Sequence, residues 1–147
     1  MPPSLRTVLA VVIGFVVGSA VNMALVTASP SLIPLPAGVN PNDPASLSPG
    51  MALFEPRHFV MPFLAHALGT FVGALVAHRI AATHRVRSAY AVGVLFLLGG
   101  IAASVMLPAP AWFIGVDLVL AYLPMAWLAV NIGERTGSAG RLQRETA

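Results

Sequence analysis

The chain has 147 residues, 57% of them hydrophobic and 9% charged, with a mean hydropathy of +0.84, against about 25% charged residues in an ordinary soluble domain. That composition excludes a water-soluble globule and leaves one membrane-embedded domain, since no stretch is long enough to add a separate soluble catalytic domain. All eight cations are Arg and the net charge is only +3, which argues against a nucleic-acid partner; the absence of Cys removes disulfides, thiolate metal sites, iron–sulfur clusters and Cys nucleophiles.

The first predicted span runs from about Leu5 to Thr27, close to the roughly 20 residues that cross about 30 Å of hydrocarbon. Its apolar run is too long for a cleaved signal peptide, whose core has about 7 to 15 residues. A long connection over 28–57 follows, with Pro30, Pro34, Pro36, Pro41, Pro44, Pro49 and Pro56. Proline lacks the backbone donor and clashes with the preceding turn, so a long helix is not expected here. Leu32, Ile33, Leu35, Val39, Leu47, Met51, Leu53 and Phe54 make the segment too apolar for a free linker. It is expected either to pack as a lid across the bundle mouth, with a short helix near Ser48 to Phe54, or to lie in the headgroup region. The second span is predicted over 58–83, the third over 88–107 and the fourth over 111–132, with Pro124 kinking the fourth near its middle. Residues 134–147, with Gly137-Ser138-Ala139-Gly140, read as a short flexible tail.

With four crossings, Arg6, Arg79, Arg85, Arg87, Arg135, Arg141 and Arg144 fall on one side and Arg57 alone on the other. The positive-inside rule makes both termini and the turn at 83–87 cytoplasmic and the long connection external. An Arg-only, Ala-, Gly- and Pro-rich composition suggests a bacterial source with a GC-rich genome, and hence the bacterial inner membrane. The expected fold class is an all-α integral membrane protein: four transmembrane helices in an antiparallel bundle over 1–133, with a long Pro-rich outer loop between helices 1 and 2.

In lipid, helices associate through close backbone approach at small residues and through interhelical polar contacts. The first span carries Ala10, Gly14 and Gly18 at four-residue spacing, continuing to Asn22; the second carries Ala65, Gly69, Gly73 and Ala77 in the same spacing. These GxxxG-type stripes predict a tight intramolecular pair, or alternatively a homodimer face. The run Arg6-Thr7-x-x-Ala10-Val11-x-x-x-Phe15-x-x-Gly18 also matches Arg87-Ser88-x-x-Ala91-Val92-x-x-x-Phe96-x-x-Gly99, which hints at a duplicated hairpin.

Ionisable groups inside a span are costly, so each is a functional candidate. Asp117, His66 and Asn22 lie within the spans, and Glu55, Arg57 and His58 stand at the outer mouth. The functional reading is an outward-facing polar cavity under the proline-rich lid. The structural reading pairs Asp117 with Arg57 or His58, gives His66 a helix carbonyl and makes Asn22 an interhelical hydrogen bond. Glu55-Pro56-Arg57-His58 contains one Glu-x-x-His, but the second copy and further carboxylates of a di-iron bundle are missing, and Glu55 reads as a helix cap. Bis-His haem within one subunit is excluded because no other span holds a His. No metal and no cofactor are expected, and no hydrolase or nucleotide motif occurs.

The sequence therefore favours an accessory, scaffold or lipid-interacting membrane component without catalysis of its own. The alternatives are an oligomeric carrier or channel for a small solute, ion or proton built around Asp117 and His66, and a redox protein sharing a cofactor across subunits. Membrane lipids are the expected partners, with a homo-oligomer or a larger membrane-protein complex as the protein alternatives.

Overall fold

The computed structural model describes residues 2–41 and 43–145, with Pro44 and residues 137–145 described by backbone alone. In chain order the elements are α1 (Pro3–Leu32), α2 (Pro44–Gly50), two 3₁₀ turns (Met51–Leu53 and Pro56–Phe59), α3 (Val60–Ile80), α4 (Arg85–Met106), α5 (Ala111–Leu120) and α6 (Leu123–Glu145). No strand occurs among the described residues. Four stretches are long and apolar enough to cross a membrane: Pro3–Leu32, Pro56–Ile80, Arg85–Met106 and Ala111–Thr136.

The interior is rich in small residues, and many bulky apolar side chains face outward. Ala10, Ala65, Ala74, Ala77, Ala89, Ala126 and Ala129 are fully buried, together with polar Thr70, His78, Ser88 and Asp117, while Val8, Val16, Met23, Leu98, Val105, Val119 and Trp127 are exposed. Water would penalise that arrangement heavily. Hydrocarbon does not, because a bulky side chain loses nothing by facing lipid and a small one lets two backbones meet.

The seam between α1 and α3 follows directly. Arg6 Nε donates to the Ile80 carbonyl at 3.0 Å at one end, and Thr7 Oγ1 lies 3.1 Å from Thr83 Oγ1. Further along, a Cβ added at Gly14 would sit 2.5 Å from the Gly73 carbonyl oxygen, and one at Gly18 would sit 2.5 Å from that of Gly69. The two helices therefore run in opposite directions with their backbones in close approach. Ala65 and Ala77 are fully buried on the same helix. By contrast α3 and α6 run the same way, since His66 meets Tyr122 at one end and His78 lies over Gly133 at the other.

Four boundaries differ from the sequence expectation. First, α1 continues past Thr27 to Leu32, with Pro30 inside it and the Ile33 N–H closing onto the Ser29 carbonyl at 2.8 Å. Thirty residues rise about 45 Å, more than the roughly 30 Å of a hydrocarbon core. Second, the short loop helix occupies Pro44–Gly50 rather than Ser48 to Phe54, because Asp43 caps it by accepting from the Ala45 N–H at 3.0 Å and Pro44 suits the first helical position. Third, the fourth span does not merely kink. It separates into α5 and α6 at Ala121–Tyr122, since Pro124 in the first turn of α6 has no N–H for the Leu120 carbonyl. Fourth, α6 runs on to Glu145, so the stretch expected as a flexible tail has helical backbone. No proline follows Pro124, and Gly133, Gly137 and Gly140 each cost a helix only about 1 kcal/mol.

Candidate functional site

The break between α5 and α6 builds the polar centre. In an unbroken helix, residues five apart are separated by about 140° around the axis and do not meet. Here the turn at Ala121–Tyr122 brings the Tyr122 hydroxyl to Asp117, where it donates to Oδ2 at 2.8 Å. His66 Nδ1, on α3, lies 2.8 Å from Oδ1 and 3.0 Å from Oδ2 of the same carboxylate. Tyr122 Oη lies 3.1 Å from His66 Nδ1, and the imidazole and phenol rings stack with centroids 5.9 Å apart. Asp117 and Tyr122 are almost wholly buried, at 5% and 1% exposure. Both carboxylate oxygens thus have hydrogen-bond partners, as a buried polar group requires.

A glycine on a third helix makes room for this cluster. A Cβ on Gly100 of α4 would collide with the Tyr122 hydroxyl and ring, so only glycine at that position lets the phenol reach Asp117.

Above the cluster lies a cavity of about 300 Å³, bounded by the last turns of α1 and α4, the first turns of α3 and α5, and the loop that contains α2. Its walls are Val26, Leu35, Met51, Phe54, Phe113, Leu118 and similar side chains, with His66, Asp117, Ser29, His58 and Ser104 as polar contributors. The Ser104 hydroxyl is turned back to the Ile101 carbonyl at 2.7 Å. A wall of three aromatic rings closes one side: Phe59 packs on Phe113 with centroids 4.7 Å apart and on Trp112 at 5.6 Å.

His58 ties the loop down. Its Nδ1 accepts from the Glu55 N–H at 2.9 Å, which leaves Nε2–H to donate to the Pro34 carbonyl at 3.2 Å. One buried ring therefore joins the start of α3 to the far end of the loop, 24 residues earlier. Phe54 packs against the same ring.

The structure thus brings Asp117 and His66 together and separates them from the other candidates. Pairing of Asp117 with Arg57 or His58 does not occur: Arg57 pairs with Glu55 at 3.0 Å in an exposed ion pair, and His58 holds the loop. Nor does His66 spend its hydrogen bond on a helix carbonyl. Glu55 does stand at the N-cap position of the turn Pro56–Phe59. Asn22 packs against Gly69 in the α1–α3 seam, and its Oδ1 is buried without a hydrogen-bond partner among the described residues, so it is not the interhelical bond expected of it. His78 is buried over Gly133.

Two members of the centre were not singled out from sequence. Tyr122 is five residues from Asp117, off its helical face, and only a break at Pro124 places it there; the proline was the available signal. Gly100 resembled the other small residues of its helix. The chain matches no known protein family, no curated protein and no solved structure, so its function is argued from these residues alone.

Proposed function

We propose that this chain is a lipid-interacting protein of the bacterial inner membrane, a four-helix antiparallel bundle that holds one apolar, chain-bearing molecule in the cavity beneath its proline-rich outer loop and performs no catalysis of its own. The observation that supports it is the cavity itself: about 300 Å³, at the lower end of the range for small-molecule sites, with apolar walls and a few convergent polar groups at one end. A purely structural Asp–His–Tyr contact would need no such space beside it.

The loop end is read as external because Arg57 is the one arginine there, while Arg6, Arg79, Arg85, Arg87 and Arg135 gather at the other end. Both termini are then cytoplasmic. GxxxG-type contact between α1 and α3 is read as intramolecular, which leaves the exposed Val and Leu faces to lipid or to a membrane-protein partner. The loop acts as a lid because His58 and Phe54, not the chain ends alone, hold it over the cavity.

The test is native mass spectrometry of the protein released from its own membrane in mild detergent. A stoichiometric bound mass that is lost in Ala103→Phe, which places a ring in the cavity, is the expected result. Retention of that mass by Ala103→Phe, or release of the wild-type protein with nothing bound, overturns the proposal.

A further inference from the structure

The end of the bundle opposite the cavity gathers positive charge. Arg6, Arg79, Arg85, Arg87 and Arg135 are exposed there, with Glu134 as the one carboxylate among the side chains described at that end. Two of the five are held in a definite way. Arg6, in the first turn of α1, donates from Nε to the Ile80 carbonyl at 3.0 Å, and Arg85, the first residue of α4, donates from Nε to the Ala81 carbonyl at 3.2 Å. Consecutive carbonyls at the end of α3 thus bring together two guanidinium groups from two other helices.

Each anchor uses the Nε–H alone. Neither arginine makes another hydrogen bond among the described residues, so the edge formed by its two Nη groups is unspent. That edge carries the parallel N–H pair that matches two oxygens of a phosphate. Capping the end of α3 accounts for one donor of each group and not for this second edge. The surroundings say which phosphate fits. The two arginines stand where the apolar stretches Pro3–Leu32 and Arg85–Met106 begin and Pro56–Ile80 ends, and Leu5, Leu9 and Val86 beside them are exposed. A soluble phosphate gains nothing from apolar surface at its side. A phospholipid does, with its headgroup on the guanidinium edges and its acyl chains along the exposed Leu and Val side chains. A headgroup that carries its own cation would add positive charge among five arginines, so a net negative one is preferred. We propose that Arg6 and Arg85 form a binding site for the phosphodiester of an anionic phospholipid, at the rim of this end and outside the α1–α3 seam. The site is separate from the cavity, and the two readings stand or fall independently.

The experiment uses the full-length protein in dodecyl maltoside at low salt, titrated with dioleoyl phosphatidylglycerol or dioleoyl phosphatidylcholine and followed by native mass spectrometry. Phosphatidylglycerol is expected to be held about 25-fold more tightly, about fivefold for each arginine. Arg6→Gln combined with Arg85→Gln is expected to remove that preference, while Arg87→Gln combined with Arg135→Gln leaves most of it. Equal binding of the two lipids by the wild-type protein, retention of the preference by the first pair of substitutions, or an equal loss from both pairs overturns the proposal; the last result means a diffuse field and no site. Should the first pair fail to fold, phenylglyoxal modification of the wild-type protein decides, read residue by residue from its peptides. Phosphatidylglycerol, and not phosphatidylcholine, is expected to slow modification of Arg6 and Arg85 relative to Arg87 and Arg135. Unchanged rates at Arg6 and Arg85 overturn the proposal. Equal protection by inorganic phosphate at the same concentration assigns the site to a soluble anion and overturns the lipid reading.

Discussion

The two ends of the molecule use the same helices in opposite ways. Toward the chain termini, α1 and α3 press backbone on backbone through Gly14, Gly18, Gly69 and Gly73, where even a Cβ would meet the facing helix. Toward the loop, α3, α4 and α5 stand apart around a cavity and are joined by Asp117, His66 and Tyr122. Lipid offers no hydrophobic force to bring helices together, so each end must find another: close contact at one, hydrogen bonds at the other. The first leaves no room for a ligand. The second leaves room because hydrogen bonds fix distance without filling volume.

Four substitutions sharpen that contrast, in falling order of effect. Gly73→Leu puts a branched side chain where a Cβ would already lie 2.6 Å from the Gly14 carbonyl oxygen, and it is expected to destabilise by about 3 kcal/mol or more and to prevent normal assembly in detergent. Unaltered elution and thermal unfolding of that variant would mean the seam is not a close contact. Asp117→Ala strips the hydrogen-bond partner from His66 Nδ1 and the acceptor from Tyr122 O–H; a loss of about 2 to 3 kcal/mol in thermal or denaturant unfolding is expected, with bound ligand lost as well. Gly100→Ala displaces the Tyr122 ring and is expected to cost about 1 to 3 kcal/mol, with a smaller loss of ligand because His66 and Asp117 remain paired. Arg57→Ala removes an ion pair whose side chains are 66% and 62% exposed, and less than about 1 kcal/mol is expected in the same unfolding assay.

The difference between the ends also explains what could be read from the sequence. Glycine spacing is a one-dimensional signal: Gly14 and Gly18 at i and i+4 share a face, as do Gly69 and Gly73, so a small-residue stripe on each helix can be read from the sequence alone. The four apolar stretches were legible for the same reason, as lengths of chain matched to a membrane. Asp117 and His66 stood out as ionisable groups inside spans, but their mutual contact joins residues 51 apart and depends on how α3 and α5 are packed. Tyr122 was hidden by the helical break, and the tie from His58 to Pro34 runs from a side chain to a backbone carbonyl, which leaves no trace in residue types. The extension of α1 through Pro30 was missed because proline is read as a stop, yet within a helix it removes only one backbone hydrogen bond.

The most direct test of the account compares a hollow end with a filled one. The chain has no cysteine, so single substitutions report without background. Ala103→Cys, at the cavity wall, and Ala74→Cys, in the fully buried packing of α3, are treated with methyl methanethiosulfonate in mild detergent before and after addition of methyl palmitate. The account predicts that Ala103→Cys is modified and is protected by the ester, while Ala74→Cys stays unmodified in the folded protein. Equal modification of both positions, or an Ala103→Cys rate that the ester leaves unchanged, would contradict it.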